Sequence, residues 1–187
     1  MIWMLIGLLL AAPGPRRGQR VPGVAPAEKI PDEEIARRAE GFLGSIDTPV
    51  SENQWRALGP RAALVLEPII SDPDAMPSRR AKAVGGLIVA APARAALLVG
   101  KLARDEGQPV VVRVAAMHGA RSVLPASKLV TELRPVLDDA RDPGLRGVAA
   151  DVISQAKGGC AAVRARLQRE GKDERPAYGR ALQRCGE

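Results

Sequence analysis

Two cysteines, one histidine, a cluster of aspartates and a spaced series of arginines are the residues whose chemistry could do more than pack. Cys160 and Cys185 stand 25 positions apart, a spacing that fits no Cys-x-x-Cys metal or redox motif. His118 is the only histidine, so a zinc site built on it would lack nitrogen partners, and no serine elbow stands ready for it to serve as base. The sequence holds no glycine-rich phosphate loop, no His-Glu-x-x-His and no calcium loop. Asp138, Asp139 and Asp142 could hold a cation weakly, but they read first as a solvated turn between helices. The chain is therefore expected to be a non-enzyme with no cofactor and no metal.

The arginines carry the organising signal. Arg80, Arg113, Arg146 and Arg180 are spaced 33, 33 and 34 apart, and the first three open stretches of small apolar residues. Val112, Ala116, Gly119 and Val123 lie on one face of a helix; a shift of 33 gives Leu145, Ala149, Val152 and Ala156. The opposite shift gives Ala83, Gly86 and Ala90. Leu66-Glu67-Pro68-Ile69-Ile70 returns two periods later as Leu133-Arg134-Pro135-Val136-Leu137, with a helix-kinking proline at the same place. Turn signals at Asp72-Pro73-Asp74, Asp105-Glu106-Gly107 and Asp142-Pro143-Gly144 separate the helices. Four helix-turn-helix units follow, with first helices at 60–71, 93–104, 126–140 and 159–170 and second helices at 77–90, 109–123, 143–156 and 175–185. Each unit is too small to bury its own apolar face, so the expected fold is all-α: a short α-solenoid in which units stack on their neighbours.

Composition agrees. Aromatics are only 2% of 187 residues, which argues against stacking platforms for single strands and against a β-sandwich. Residues 31–58 read as N-terminal capping helices: Pro31 with Asp32, Glu33 and Glu34 marks a helix start, and Ile35, Ala39, Phe42 and Ile46 form its apolar stripe. Ser51 to Gln54 has the capping-box pattern for a second short helix carrying Trp55 and Leu58. Residues 59–187 hold the repeats.

Over roughly residues 55–185 the chain resembles the HEAT-repeat family, in the short form of bacterial HEAT-like and phycobilisome-lyase-type repeat proteins. Pro68 and Pro135 in first helices, aspartates in the turns, and the arginine opening Val112-Arg113-Val114-Ala115-Ala116 and Leu145-Arg146-Gly147-Val148-Ala149-Ala150 carry the likeness. The period is shorter than the roughly forty residues of HEAT units. The resemblance implies a structural ladder in which turn aspartates bond the arginines, carried here onto Asp74/Arg80, Asp105/Arg113 and Asp142/Arg146. It also implies a scaffold that binds a protein partner through its concave face. Lys82, Val84, Ile88, Met117, His118, Arg121, Asp151 and Ser154 are the second-helix positions expected on that face, outside the apolar stripe.

A net charge of +7 raises the alternative of a nucleic-acid-binding solenoid in the cytoplasm, gripping phosphates with the spaced arginines. Export is the leading expectation. Ile2 to Ala12 is an unbroken apolar run of eleven residues, the length of a signal-peptide h-region and too short to span a bilayer, so no stable membrane span is expected after processing. Residues 13–30, rich in Pro and Gly, read as a flexible linker. In the last hairpin, with its turn between Lys172 and Asp173, antiparallel partners have numbers summing to about 345, which sets Cys160 opposite Cys185. Export would make them a disulfide; a cytoplasmic chain would leave two reduced thiols. The default oligomeric state is a monomer.

Overall fold

A computed structural model describes residues 30–45 and 48–186 of the chain. The leader at 1–12, the linker up to Lys29 and the stripe residue Ile46 lie outside the described residues. All regular structure among the described residues is helical. Among them ten α-helices follow one another: α1 (Asp32–Gly44), α2 (Glu52–Leu58), α3 (Ala63–Ser71), α4 (Pro77–Ala90), α5 (Pro92–Arg104), α6 (Val110–Val123), α7 (Ala126–Asp139), α8 (Pro143–Ile153), α9 (Gly159–Leu167) and α10 (Gly179–Cys185). Short 3-10 turns at Pro60–Ala62 and Arg175–Tyr178 lead into α3 and α10.

Prolines set many of the starting points. Pro77, Pro92 and Pro143 open α4, α5 and α8, while Pro31, Pro109 and Pro125 are the N-cap residues of α1, α6 and α7. At a first helical position proline gives up an N–H that has no intrahelical acceptor anyway, and its fixed φ is already helical. Serine does the same work for α2: the Ser51 hydroxyl accepts from the Gln54 amide and Gln54 Oε1 accepts from the Ser51 amide, a complete capping box.

Three hairpins, α3/α4, α5/α6 and α7/α8, pack side by side, and α9/α10 closes the series. The second helices form a row, α4 against α6 and α6 against α8; in the first-helix row α5 lies on α7 and α7 on α9. The core between the rows is aliphatic, with Leu66, Ile70, Leu87, Val99, Val112, Leu133 and Leu137 almost fully buried. The chain is thus an all-α array of helical hairpins, in the order the 33-residue period predicts. At its start α1 and α2 lie against α4, where the Phe42 and Trp55 rings meet edge to face at 5.1 Å.

Close approach explains why the stripe residues are small. A Cβ at Gly86 would stand 2.7 Å from the Trp55 ring, and one at Gly119 would collide with Ile88 Cδ1. At Gly147 the obstacle is backbone, the Ala177 carbonyl oxygen at 2.4 Å, which cannot rotate away. Gly85, one residue before Gly86, faces open space. Gly147→Ala is expected to destabilise the fold by about 1–3 kcal/mol through overpacking. Gly85→Ala is expected to stabilise it by about 0.5–1 kcal/mol by removing helix-interior glycine entropy. Urea melts of the two variants check both signs.

Candidate functional site

The periodic arginines are buried, and what they hold is main chain. Arg80, Arg113 and Arg146 are 5%, 7% and 6% exposed. Arg80 Nε donates to the Ile70 carbonyl at 3.0 Å and Arg113 Nε to the Ala103 carbonyl at 3.0 Å, each in the last turn of the preceding first helix. Arg146 Nη1 donates to the Ala140 and Arg141 carbonyls at 2.7 and 3.2 Å, just past the end of α7. α3, α5 and α7 end without a left-handed glycine; among the described residues positive φ occurs at Gly59, Gly158 and Gly186 alone. Their orphan carbonyls are satisfied by a guanidinium from the following helix instead.

The expected aspartate ladder takes a different form. Asp74 is exposed and does not reach Arg80. Asp142 is turned to its own helix, where it N-caps α8 by accepting from the Gly144 amide at 2.7 Å. Asp105 accepts from Gln108 Nε2 at 2.9 Å and from the Gly107 amide at 3.0 Å, bonds that lower its pKa, with the Arg113 charge adding a smaller effect. Gln108 Oε1 in turn accepts from Arg80 Nη2. Where units are tied laterally, the rung therefore runs from Asp105 through Gln108 to Arg80, a neutral amide between the two charges. The fourth arginine breaks the series: Arg180 is exposed and lies 3.9 Å from Asp151.

Where α8 meets the segment around the end of α9, the structure holds a buried ionic network. Arg146 Nε and Nη2 donate to the two oxygens of Glu170 at 2.7 and 3.0 Å, and Glu174 Oε2 lies 2.9 Å from Nη2. Arg166 of α9 reaches Glu170 Oε1 at 3.1 Å, and the Tyr178 hydroxyl donates to the same oxygen. Burial alone would raise the Glu170 pKa. Hydrogen bonds from Arg146 and from Tyr178, with the Arg146 charge, outweigh it and bring the carboxyl down to about 2. Burial pushes Tyr178 up to about 12, and the adjacent Glu170 carboxylate adds to it. Beside this network Cys160 and Cys185 lie at disulfide-bonding distance, their sulfurs 2.07 Å and their Cα atoms 5.6 Å apart. Closing a loop of this length contributes about 3.5 kcal/mol on the chain-entropy account.

The positions expected on a concave binding face divide. Lys82, His118 and Arg121 are exposed, but the Lys82 amine is spent on the Leu43 and Ser45 carbonyls at the end of α1, and Arg121 bonds Gln155. Val84 and Met117 are buried, at 1% and 0% exposure, which corrects their assignment to that face. A second-row helix is bounded by its hairpin partner and by row neighbours, so its buried arc is wider than the single stripe of small residues. Ile88 is half-buried as the knob over Gly119. Asp151 is buried with Arg184 on its carboxylate, and Ser154 is half-buried, donating to the Asp151 carbonyl at 2.9 Å.

An open groove lies on the other face. It measures about 760 Å³ and is floored by Pro60, Leu64 and Pro68 on and before α3. Its rims are ion pairs, Arg61 with Asp32 and Arg94 bidentate on Glu67 at 2.7 and 2.6 Å, the latter lowering the Glu67 pKa. Leu64 is 71% exposed, and Leu97, one period later on α5, is 67% exposed. The next two positions of that series, Val130 and Val163, are half-buried and buried. Sequence reasoning passed over this pair, although the period applied to the first helices singles it out.

Comparison with family models, with curated proteins and with solved structures finds no match to this chain.

Two measurements follow from the geometry. Asp74→Asn is expected to change stability by less than about 0.5 kcal/mol, whereas Arg113→Met, which strips a buried carbonyl of its donor, costs about 1–3 kcal/mol. Because the folded-state pKa of Glu170 is depressed, its contribution is complete above the ordinary carboxyl range and is lost as pH falls from about 4.5 towards 2. Melting temperature against pH is expected to fall more steeply across that window in the wild type than in Glu170→Gln. At neutral pH the variant loses about 1–3 kcal/mol, since Arg146 keeps Glu174 but gives up its paired hydrogen bonds to the Glu170 carboxylate.

Proposed function

We propose that this chain is a non-catalytic, HEAT-like helical-repeat scaffold, exported from the cytoplasm, that binds a partner protein. The observation that carries this reading is Leu64, a large aliphatic side chain left in water in the lining of the apolar groove, with Leu97 exposed in the same way one period later in the first-helix row. An aliphatic floor between rims whose charges are already paired suits an amphipathic helix that lays apolar side chains along the groove, a contact tolerant of salt. The first-helix row is the face assigned to it, since much of the second-row face is consumed in packing.

Export draws support from Cys160 and Cys185, whose pairing is compatible with an oxidising compartment. Among the described residues no helix is long and apolar enough to cross a membrane. The rival nucleic-acid reading loses its instrument, since Arg80, Arg113 and Arg146 are spent on carbonyls.

A photo-crosslinking residue at position 64, introduced in the cells that make the protein, tests the reading. An adduct is expected that survives high salt and disappears in Leu97→Asp but not in Lys82→Glu. Loss in Lys82→Glu with retention in Leu97→Asp would return the contact to the second-row face. Intact mass after thiol alkylation, with and without reductant, tests export alongside: cysteines that alkylate at once in a full-length chain would overturn it.

A further inference from the structure

The arginine rungs of the array are unequal, and the difference follows the 33-residue period. Gln108, in the turn before α6, accepts from Arg80 Nη2 of the preceding unit. Glu174, two periods on, lies 2.9 Å from Arg146 Nη2. The position between them, 33 residues from each, is Arg141, a cation that cannot accept from Arg113. Its side chain is 92% exposed and lies 4.0 Å from Glu106.

Arg113 is therefore bonded on one side alone. Its Nε donates to the Ala103 carbonyl, and among the described residues neither Nη has an acceptor. Asp105 is near enough to feel its charge, but the Asp105 oxygens accept from Gln108 and from the Gly107 amide. No fully buried side-chain nitrogen among the described residues lacks a bond, so the Nη atoms belong to the small part of Arg113 that stays accessible. Arg113 lines a concavity of about 110 Å³ with Arg104, Glu106, Asp139, Pro135 and Val136. Arg104 is taken up by Glu132, while Asp139 is exposed with no cation bonded to it. The concavity thus offers donors from Arg113 and acceptors from Asp139 and Glu106.

We propose that this concavity is a binding site for a primary carboxamide, the side chain of an Asn or Gln on the partner protein. Its carbonyl oxygen accepts from the Arg113 guanidinium and its NH2 group donates to Asp139 or Glu106. The protein builds the same bridge from its own chain one rung earlier, where Gln108 accepts from Arg80 and donates to Asp105 at 2.9 Å. A carboxylate ligand would meet two carboxylates in the lining, and an ammonium would meet two guanidiniums. A neutral group that carries both a donor and an acceptor meets neither repulsion. The site also continues the first-helix surface. Leu97 and Arg104 stand seven residues apart on α5, two turns and about 10 Å along one face, so a segment lying on Leu97 extends to the concavity. The inference rests on the scaffold reading for the carrier of the amide and adds to it a residue type on the partner.

The test uses the full chain with isotopically labelled arginine and reads the Arg113 Nε–H resonance, assigned by its loss in Arg113→Lys. Propionamide, the side-chain fragment of Gln, is expected to shift this resonance saturably in the millimolar range, and propionate and propylamine are not. Arg141→Gln sets an amide of the chain's own at the place Gln108 holds in the first rung, and is expected to weaken propionamide about tenfold. Asp139→Leu, which removes an acceptor, is expected to weaken it about fivefold. Lys128→Gln, on α7 outside the concavity, is expected to change nothing. Melting temperatures close to that of the wild type show that the variants fold. Absence of a saturable shift, tighter binding of propionate than of propionamide, or undiminished binding in Arg141→Gln would each overturn the amide site. Any of these with the crosslink at position 64 intact leaves the scaffold reading standing. Loss of that crosslink with propionamide still bound would overturn the scaffold reading and keep the site as one for a small amide.

Discussion

A guanidinium set against the carbonyl end of the preceding helix is the constraint on which the array depends. Every α-helix ends with carbonyls that its own amides cannot reach, and burying them unpaired costs about 1–3 kcal/mol each. Three of the first helices here lead into extended or near-extended residues, Asp72, Asp105 and Ala140, with no glycine to fold the chain back on itself. An arginine ten residues beyond the carbonyl in two units, and six beyond in the third, does that work from the next helix. The same bond ties the start of the second helix to the end of the first, since Arg80, Arg113 and Arg146 each stand three residues after the first residue of their helix and reach back across the turn. Replacing a buried polar group by a well-packed apolar one is often neutral in stability. The arginine is better understood as setting register than as adding strength, and register is what a repeated hairpin needs.

The device recurs outside the periodic series. Lys82 meets the end of α1, Arg166 donates to Leu137 in α7 at 3.1 Å, and Arg184 reaches the Asp151 carbonyl in α8 at 3.3 Å. Cations at helix C-termini also oppose the negative end of the macrodipole. Around α9 and α10 other contacts join the device. Glu170, Tyr178 and Glu174 converge on Arg146, and the cysteine pair ties the first turn of α9 to the last residue of α10. α9 and α10 have nine and seven residues, shorter than the helices of the middle units, so they bring less apolar surface of their own. Covalent and ionic contacts supplement that smaller apolar surface.

The helices were legible because their signals are local. The 33-residue period, the prolines and the Ser51 capping box placed the elements within a few residues, and the antiparallel register of the last hairpin paired Cys160 with Cys185. The partners of polar side chains were not legible, because they depend on which atoms the turns bring near. An aspartate four to eight residues before an arginine looks like its counterion, yet Asp142 finds a backbone amide of its own helix first, and Arg146 finds a glutamate 24 residues on. Exposure on the second row failed for a related reason. A one-sided stripe describes a helix lying on a surface, and α4 and α6 lie between neighbours, which buried Val84 and Met117. Glu170 and Tyr178 carried no signal at all, since neither belongs to a motif.

A pI near 10 with 22 arginines invites a polyanion as partner, but net charge describes the chain and not its surface. The arginines with the clearest periodicity are the least accessible. Their charge is taken up by carbonyl dipoles and, in Arg146, by Glu170, so it projects little field into solvent. Much of what remains on the surface of the body is paired along or between helices, as in Arg94 with Glu67 and Arg134 with Asp138. Such exposed pairs contribute at most about 1 kcal/mol each and are screened by salt. Arginine abundance is thus first a solution to helix termination in a chain that uses few glycine caps. The field that reaches solvent comes from places where acids such as Glu170 and Glu174 are drawn inward and exposed cations such as Lys172 and Arg175 are not paired, so charge density at the surface follows from burial rather than from composition.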